Sequence, residues 1–297
     1  MKIRVIVNRS GGTLKGSGDE EAKIVAAFKA AGVDADVRMT ESADIFEALK
    51  AAAAAPGLDA VVAGGGDGTL SCGAGHLANT GRAFGILPLG TLNHLARDAG
   101  IPANIEEAAK VIAAGHIREI DVAEVNGRVF VNNSSVGLYP DMVNLREQEQ
   151  EKRGRSKRMA MLSASWASLR HFRRHRLWIS APGLEAPIRT PLLFVGNNRY
   201  QVNLLGLGKR EQLDQGELCL YAIRARSRLH LLWAGIRGIF GRLDQQRDFI
   251  TAYVGEAEIG SDRPTLSLSL DGETARMETP LRYRIRPKAL RLIVPER

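Results

Sequence analysis

The chain has two cysteines among 297 residues, Cys72 and Cys219. They form neither a CxxC pair nor a metal-ligand spacing. That excludes a disulfide scaffold and a thiolate metal site and fits a reducing compartment. Aromatic residues make up 5%. They build no stacking array beside basic residues, and no nucleic-acid motif is present, so no nucleic-acid partner is expected. No apolar run reaches the roughly 18 residues of a membrane span. The longest, 231–240, is interrupted by Gly235, Arg237 and Gly238. The apolar stretch that begins among the first residues is too short for a signal-peptide core. Together these absences predict a cytoplasmic protein. Internal repeats and low-complexity linkers are lacking too.

What is present is ordinary globular composition, 44% hydrophobic and 25% charged. At about 150 residues per domain, the length suggests two domains. The formal charge is +8, unevenly spread. Residues 1–120 carry 12 Lys+Arg against 14 Asp+Glu, whereas 121–297 carry 29 against 19. Basic charge gathered in one half points to an anionic partner: nucleic acid, an anionic lipid surface or a phosphorylated substrate.

Short apolar runs alternate with helical patterns through the first third. Strands are predicted at 2–8, 34–40, 59–63 and 83–87. Helices are predicted at 19–31 (Ala22, Ile24, Val25, Phe28 and Ala31 on one face), 42–55 with Ser42 as cap, 69–78, and 105–114 ended by Gly115. This pitch is the pattern of a doubly wound, Rossmann-like α/β domain with a parallel sheet. In such sheets ligands bind at the carboxyl ends of the strands. After residue 120 the pattern changes to a hairpin around Asn126-Gly127 and further strand candidates at 177–180, 192–196, 217–223, 249–254, 265–270 and beyond 281. Helical inserts are expected at about 141–173 and 229–240. The expectation is an α/β nucleotide-binding domain, 1–120, followed by a mostly antiparallel β-sandwich, 121–297, with the last strand free to return to the first domain and a cleft between the two.

Four loops could carry chemistry. The first is Val61-Val62-Ala63-Gly64-Gly65-Gly66-Asp67-Gly68-Thr69-Leu70, a strand running into four glycines, a carboxylate and a helix start. Glycines let backbone N–H groups approach an anion, and the helix that follows turns its positive end toward phosphate. Asp67 could hold Mg²⁺ against that phosphate, act as a base, or simply cap the helix. The spacing is neither a Walker A loop nor a dinucleotide fingerprint. The second loop is Leu87-Pro88-Leu89-Gly90-Thr91-Leu92-Asn93-His94, in which Gly90, Thr91 and Asn93 offer small polar groups. Asn8-Arg9-Ser10-Gly11-Gly12 ends the first strand, and Thr40 ends the second on the same edge. In the other domain, Leu270-Asp271-Gly272-Glu273 reads as a hairpin turn with Glu273 at a strand end.

In this order and spacing, Asn-x-Ser-Gly, Gly-Gly-Asp-Gly-Thr and Leu-Pro-x-Gly-Thr-x-Asn resemble the diacylglycerol kinase catalytic family, in its bacterial lipid kinase branch related to sphingosine and ceramide kinases. The resemblance spans essentially the whole chain and implies a Rossmann-like domain followed by a β-sandwich, with ATP in the cleft. It implies an ATP site lined by residues 8–12, Thr40, 64–70 and Thr91, with Asp67 near the phosphates and their Mg²⁺. Glu273 would be the general base that takes the proton of a lipid hydroxyl. Two departures stand out. Many members have Asp after Gly-Thr-x-Asn, where this chain has His94. Members also have an Asp-Gly-Leu-Leu stretch that holds a second, structural metal; here it reads Asp214-Gln215-Gly216-Glu217-Leu218, which leaves Asp214 one place off.

Residues 152–176 carry nine basic residues and no acidic one. Lys152, Arg153, Arg155, Lys157, Arg158, Arg170, Arg173 and Arg174 flank an apolar stretch with Trp166, a pattern suited to a membrane-surface helix. A solvated helix packed on its own sandwich is the plainer reading. The expected partners are a lipid substrate and an anionic membrane surface, with a homodimer left open. The expected cofactors are ATP and Mg²⁺. The leading expectation is thus a lipid kinase bound peripherally at the inner membrane surface. A kinase for a soluble substrate, related to the NAD kinases, and a catalytically weak nucleotide- or lipid-binding regulator are the alternatives.

Overall fold

A computed structural model describes residues 1–10, 19–137, 174–200, 202–203, 206–207, 210, 212–224, 227 and 249–296. The chain runs β1 (Ile3–Asn8), α1 (Glu20–Ala30), β2 (Ala35–Thr40), α2 (Ile45–Ala54), β3 (Ala60–Gly65), α3 (Asp67–Leu77), β4 (Ala83–Pro88), α4 (His94–Asp98) and α5 (Ile105–Ala114). It continues through β5 (Ile117–Val125), β6 (Arg128–Phe130), β7 (Asn133–Gly137), β8 (His175–Ala181), β9 (Leu184–Thr190), β10 (Leu192–Asn197), β11 (Val202–Asn203), β12 (Gly206–Leu207) and β13 (Leu218–Ile223). It closes with β14 (Phe249–Val254), β15 (Glu256–Ser261), β16 (Thr265–Leu270), β17 (Glu273–Glu278) and β18 (Leu281–Ile293). The predicted inserts at 141–173 and 229–240 both lie outside the described residues.

The first four strands form a parallel sheet in the order β2-β1-β3-β4. Every residue of β3 is buried, because helices cover both faces of a parallel sheet. Right-handed crossovers put α1 on one face and α2 and α3 on the other. α1 packs near α5, and α2 near α3. Chain direction through the sheet order reverses between β1 and β3. That leaves a crevice at their carboxyl ends, bordered by Asn8 and Gly65.

Strand β18 pairs in parallel with β4 through Arg291 and Leu292, and antiparallel with β5 and β15. One sheet therefore runs from β2 through β18 and β15 to β8 and β9. Its far half faces a second, wholly antiparallel sheet, β14-β13-β10-β7-β16-β17. Val125, Ile179, Ile259 and Tyr283 of the first sheet and Val136, Val195, Leu220 and Leu268 of the second share one core. The α/β half has its own core, centred on Val5, Val62, Phe28, Leu70 and Phe84. Rigid connection between the halves follows from the shared strand, not from a linker.

Local differences from expectation have plain causes. Val25 is 42% exposed while Ala27 joins Ile24 and Phe28 in the core. The short side chain of Ala27 lets α1 approach the sheet on that side. Ser42 does not cap α2; Asp44 occupies that position, and the Ser42 hydroxyl donates to Asn8 Oδ1 at 2.9 Å. Strands β7, β9, β11, β12 and β15, and the five-residue α4, were not expected. They are short or carry polar and charged residues at alternate positions. Two hairpins turn on Asn126-Gly127 and Asp271-Gly272, whose φ values are all positive, as a two-residue type I′ turn demands.

Candidate active site

Three loops meet at the carboxyl ends of β1, β3 and β4. Asn8 ends β1, and its side chain ties the crevice together. Nδ2 donates to Thr69 Oγ1 at 3.2 Å, while Oδ1 accepts from the Ser10 N–H at 3.0 Å and from Ser42. Arg9 donates its backbone N–H to the Thr40 carbonyl at 3.0 Å, which binds the β1 loop to the end of β2. Gly66 precedes the first turn of α3, so Asp67 stands inside that helix and is not its cap. The Asp67 carboxylate instead reaches the next loop and accepts the His94 N–H on Oδ1 at 2.8 Å.

The β4 loop is closed by Asn93, which has φ +47°. Its Oδ1 accepts from the Gly90 N–H, and its Nδ2 donates to the carbonyls of Pro88 and Gly90. Leu89 donates to the Gly65 carbonyl at 3.1 Å. The two glycine loops touch backbone to backbone. A Cβ added at Gly90 would stand 2.5 Å from Gly66 Cα, so no larger residue fits there.

Glu273 closes the site from the opposite side. It is the first residue of β17, directly after the Asp271-Gly272 turn. A Cβ added at Gly68 would stand 2.2 Å from Glu273 Oε1, so the carboxylate lies against the bare Cα of α3. Arg128 is 3.5 Å from Glu273 Oε2, but both side chains are half exposed or more, so this pair adds little to stability. Asn8, Gly68, Thr69, Cys72, Arg128 and Glu273 all line one cavity of about 920 Å³, which extends to Phe46 and His76. Burial, with the Glu273 charge adding to it, pushes the Cys72 thiol up to about 11. Burial also lowers the His76 imidazole below its ordinary value, helped by Lys50, and keeps it neutral at pH 7.

The turn that carries Glu273 is anchored from within. Asp271 is 8% exposed, and its carboxylate accepts the N–H groups of Val131, Asn132 and Asn133, each at 2.8 Å, and the Ser71 hydroxyl of α3. Burial raises its carboxyl above the ordinary value, against the pull of those four donors. Sequence reasoning treated Asp271 only as a turn former. The Asp-Gly pair signals the turn, but nothing local reveals three amides waiting 140 residues upstream.

Of the residues singled out from sequence, the structure brings together Asn8, Gly66, Asp67, Gly68, Thr69, Gly90, Asn93 and Glu273. Gly64 and Gly65 complete the buried end of β3. Leu70 turns into the α/β core and is fully buried, and its N–H is bonded to the Gly66 carbonyl. Thr91 is exposed within the β4 loop, and Thr40 contributes its carbonyl to the Arg9 N–H. Gly11, Gly12 and the basic residues Lys152, Arg153, Arg155, Lys157, Arg158, Arg170 and Arg173, with Trp166, lie outside the described residues. Arg174 is exposed just before β8.

The two metals implied by the resemblance meet different surroundings. Asp67 would suit a hard cation, whose charge would offset that of a phosphate. One oxygen is fixed by the His94 N–H, and the other takes no hydrogen bond from the described residues. The structural metal does not fit. Asp214 is paired with Arg118 at 2.9 Å, and the Gln215 side-chain oxygen Oε1 accepts from the Arg199 backbone N–H. Asp121, the nearby buried carboxylate, has one oxygen on the Gly216 N–H and the other on the Lys288 N–H. Each of these groups already holds at least one partner, and the Arg118 guanidinium beside Asp214 opposes a cation there. Among the described residues, no cluster of three or more His, Cys, Asp or Glu side chains could hold a metal ion.

Residues 2–125 match the diacylglycerol kinase catalytic domain. A Pseudomonas fluorescens protein named probable lipid kinase YegS-like is 32% identical over 288 residues, covering 94% of this chain and 91% of the relative. Its namesake in Pseudomonas aeruginosa is 32% identical over 291 residues, covering 95% and 92%. Among solved structures, a diacylglycerol kinase from Bacillus anthracis superposes with a TM-score of 0.72 at 22% identity, over 99% of this chain and 97% of that one. Yeast NADH kinase complexed with NADH superposes with a TM-score of 0.56 at 14% identity, over 100% and 84%, a likeness of fold alone. With near full-length relatives above 30% identity and the glycine loops at the sheet's switch point, the chain belongs to the diacylglycerol kinase catalytic domain family, among its YegS-like members.

Proposed function

We propose that the protein is an ATP- and Mg²⁺-dependent lipid kinase that phosphorylates the hydroxyl of diacylglycerol or a related lipid. The observation that carries this reading is the seat of Glu273 against Gly68, at the start of the helix that opens the crevice. The glycine loop and the first turn of α3 offer backbone N–H groups to the ATP phosphates. Asp67 would hold Mg²⁺, which neutralises phosphate charge when bound. The lipid hydroxyl oxygen forms a bond to the γ-phosphorus as the bond from that phosphorus to the β–γ bridging oxygen breaks. ADP leaves, and the hydroxyl proton passes to Glu273. Such transfer needs positioning and charge stabilisation more than covalent chemistry, so this sparse set of residues is sufficient.

Names carried by the relatives support a lipid acceptor. The basic stretch 152–176 supports docking on an anionic membrane surface, with the protein working peripherally at the inner face. A water-soluble acceptor is the second reading, favoured by the shared fold of the NADH kinase. The test is transfer of labelled γ-phosphate from ATP to a lipid panel in anionic vesicles, comparing the native chain with Asp67→Ala and Glu273→Gln. Labelled lipid from the native chain, lost in both variants, is the expected result. Label on a soluble acceptor, with none on lipid, would move the assignment to the second reading.

A further inference from the structure

Arg210 stands outside the glycine loops and outside the cavity, yet it is the largest fully buried side chain among the described residues. Its guanidinium joins four partners from both halves of the molecule. Nε donates to Asp98 Oδ2 at 2.9 Å, and both side chains of this pair are at most 1% exposed. Nη1 donates to the Val131 carbonyl at 2.6 Å and the Asn197 carbonyl at 3.2 Å, and Nη2 to Asn132 Oδ1 at 2.8 Å. The guanidinium carbon lies 5.2 Å from the centroid of the Tyr200 ring.

What those partners hold gives the contact a consequence. Asp98 ends the five-residue helix that begins at His94, whose N–H fixes the Asp67 carboxylate. Val131 and Asn132 belong to the segment whose N–H groups fix Asp271, two residues before Glu273. We infer that Arg210 is a positioning residue: its buried guanidinium clamps the support of Asp67 to the support of Glu273, and so sets the spacing between phosphate site and base. This rests on the kinase reading for its catalytic consequence, but the clamp itself is a statement about two backbone segments. Only a planar, multiply donating cation fits the four acceptors. A lysine keeps the charge, but its three donors sit on one nitrogen and cannot span four acceptors set around a planar fork.

The test uses Arg210→Lys and Asp98→Asn in the full chain. Amide hydrogen exchange is read by mass spectrometry in peptides containing His94 and residues 131–133, with β1 and β3 as internal controls. Steady-state transfer is measured well below the melting temperature. Exchange should speed up together in both reporter peptides and not in the controls. kcat should fall at least tenfold with the KM for ATP within about twofold, because misplacement by about 1 Å suffices for such a loss. In a Glu273→Gln background, Arg210→Lys should lower kcat no further, since the group it positions is already disabled. Arg210→Met, which leaves the buried Asp98 carboxylate only the longer ion pair to Arg97 at 3.8 Å, should lower the melting temperature by about 10 °C.

Unchanged exchange in either reporter peptide overturns the clamp. Coupled exchange with an unchanged kcat, or full additivity with Glu273→Gln, overturns the positioning role and reduces Arg210 to a structural tie. Coupled exchange, with no transfer to any acceptor even by the native chain, upholds the clamp and defeats the kinase reading instead.

Discussion

Gly68→Ala should separate catalysis from folding. Gly68 is the second residue of α3. Its added Cβ would stand 2.2 Å from Glu273 Oε1 and 3.0 Å from Cδ. The carboxylate must therefore retreat by about 1 Å, a displacement able to cost on the order of a hundredfold in rate. Little opposes the retreat. The Glu273 side chain is 60% exposed, and its ion-pair partner Arg128 is itself 50% exposed. Alanine meanwhile suits a helix better than glycine by about 0.5–1 kcal/mol. In a chain of this size that is worth about 1–4 °C in melting temperature. The expected outcome is a variant that melts as high as the native chain or slightly higher, and transfers phosphate about a hundredfold more slowly.

Thermal melts and steady-state transfer at saturating ATP would measure both. A cycle with Glu273→Gln adds the decisive control. If Gly68→Ala acts by dislodging Glu273, the double variant is no slower than Glu273→Gln alone. Native turnover in Gly68→Ala would refute the seat of the base. Full additivity in the cycle would refute the route by which the glycine matters, and a melting temperature several degrees lower would refute the claim that Glu273 yields without strain.

Gly90→Ala should behave in the opposite way, because its Cβ meets the backbone of Gly66 at 2.5 Å and the hydrogen-bonded Asn93 Oδ1 at 2.6 Å, neither of which yields easily. Overpacking of this kind costs about 1–3 kcal/mol, so the variant should melt several degrees lower and lose nucleotide affinity in a titration. Asp271→Asn keeps the turn, since Asn tolerates positive φ, but removes the charge that three amides and Ser71 share. It should cost about 1–3 kcal/mol in denaturant unfolding and lower kcat through the displaced Glu273. With its thiol pushed up to about 11, Cys72 stays protonated at pH 8. Its alkylation there should run about twentyfold slower than that of a free cysteine with a pKa near 8.5, the scarcity of thiolate being partly offset by its greater nucleophilicity, and climb with pH past 10. Alkylation of Cys72 at the free-cysteine rate, followed by mass spectrometry, would show the thiol to be exposed to water.

The sequence made the α/β half legible because its signals are local. Continuous apolar strands, helices with a buried face and glycines at strand ends need no knowledge of distant partners. The sandwich was legible only where turns or apolar runs marked it. The two type I′ hairpins announced themselves as Asn-Gly and Asp-Gly. By contrast, β15 alternates charged residues with buried ones, and β7 reads Asn-Ser-Ser-Val-Gly. Their strand character comes from the sheets they complete. The candidate site divides in the same way. Asp67, the glycines and Glu273 stand out by local pattern, but the groups that support them do not. Arg210 meets Asp98 across 112 residues and Val131 across 79, and no spacing rule connects them.

The replacement of an acidic residue by His94 shows how far a side-chain comparison can mislead. The group at position 94 that engages Asp67 is the backbone N–H, which every residue except proline supplies. The imidazole points elsewhere, with Nδ1 3.1 Å from an Arg97 nitrogen. Changing the side chain at 94 therefore leaves the support of Asp67 in place. The same short helix carries a carboxylate at its other end, Asp98, and that one is buried on Arg210. A negative charge missing at the first residue of α4 is present at the last, paired with a guanidinium that the chain supplies itself. Such a pair carries no net charge, so Asp98 does not call for a divalent cation to balance it. The committed hydrogen bonds of Asp121, Asp214 and Gln215 lead to the same conclusion from the other side of the domain junction.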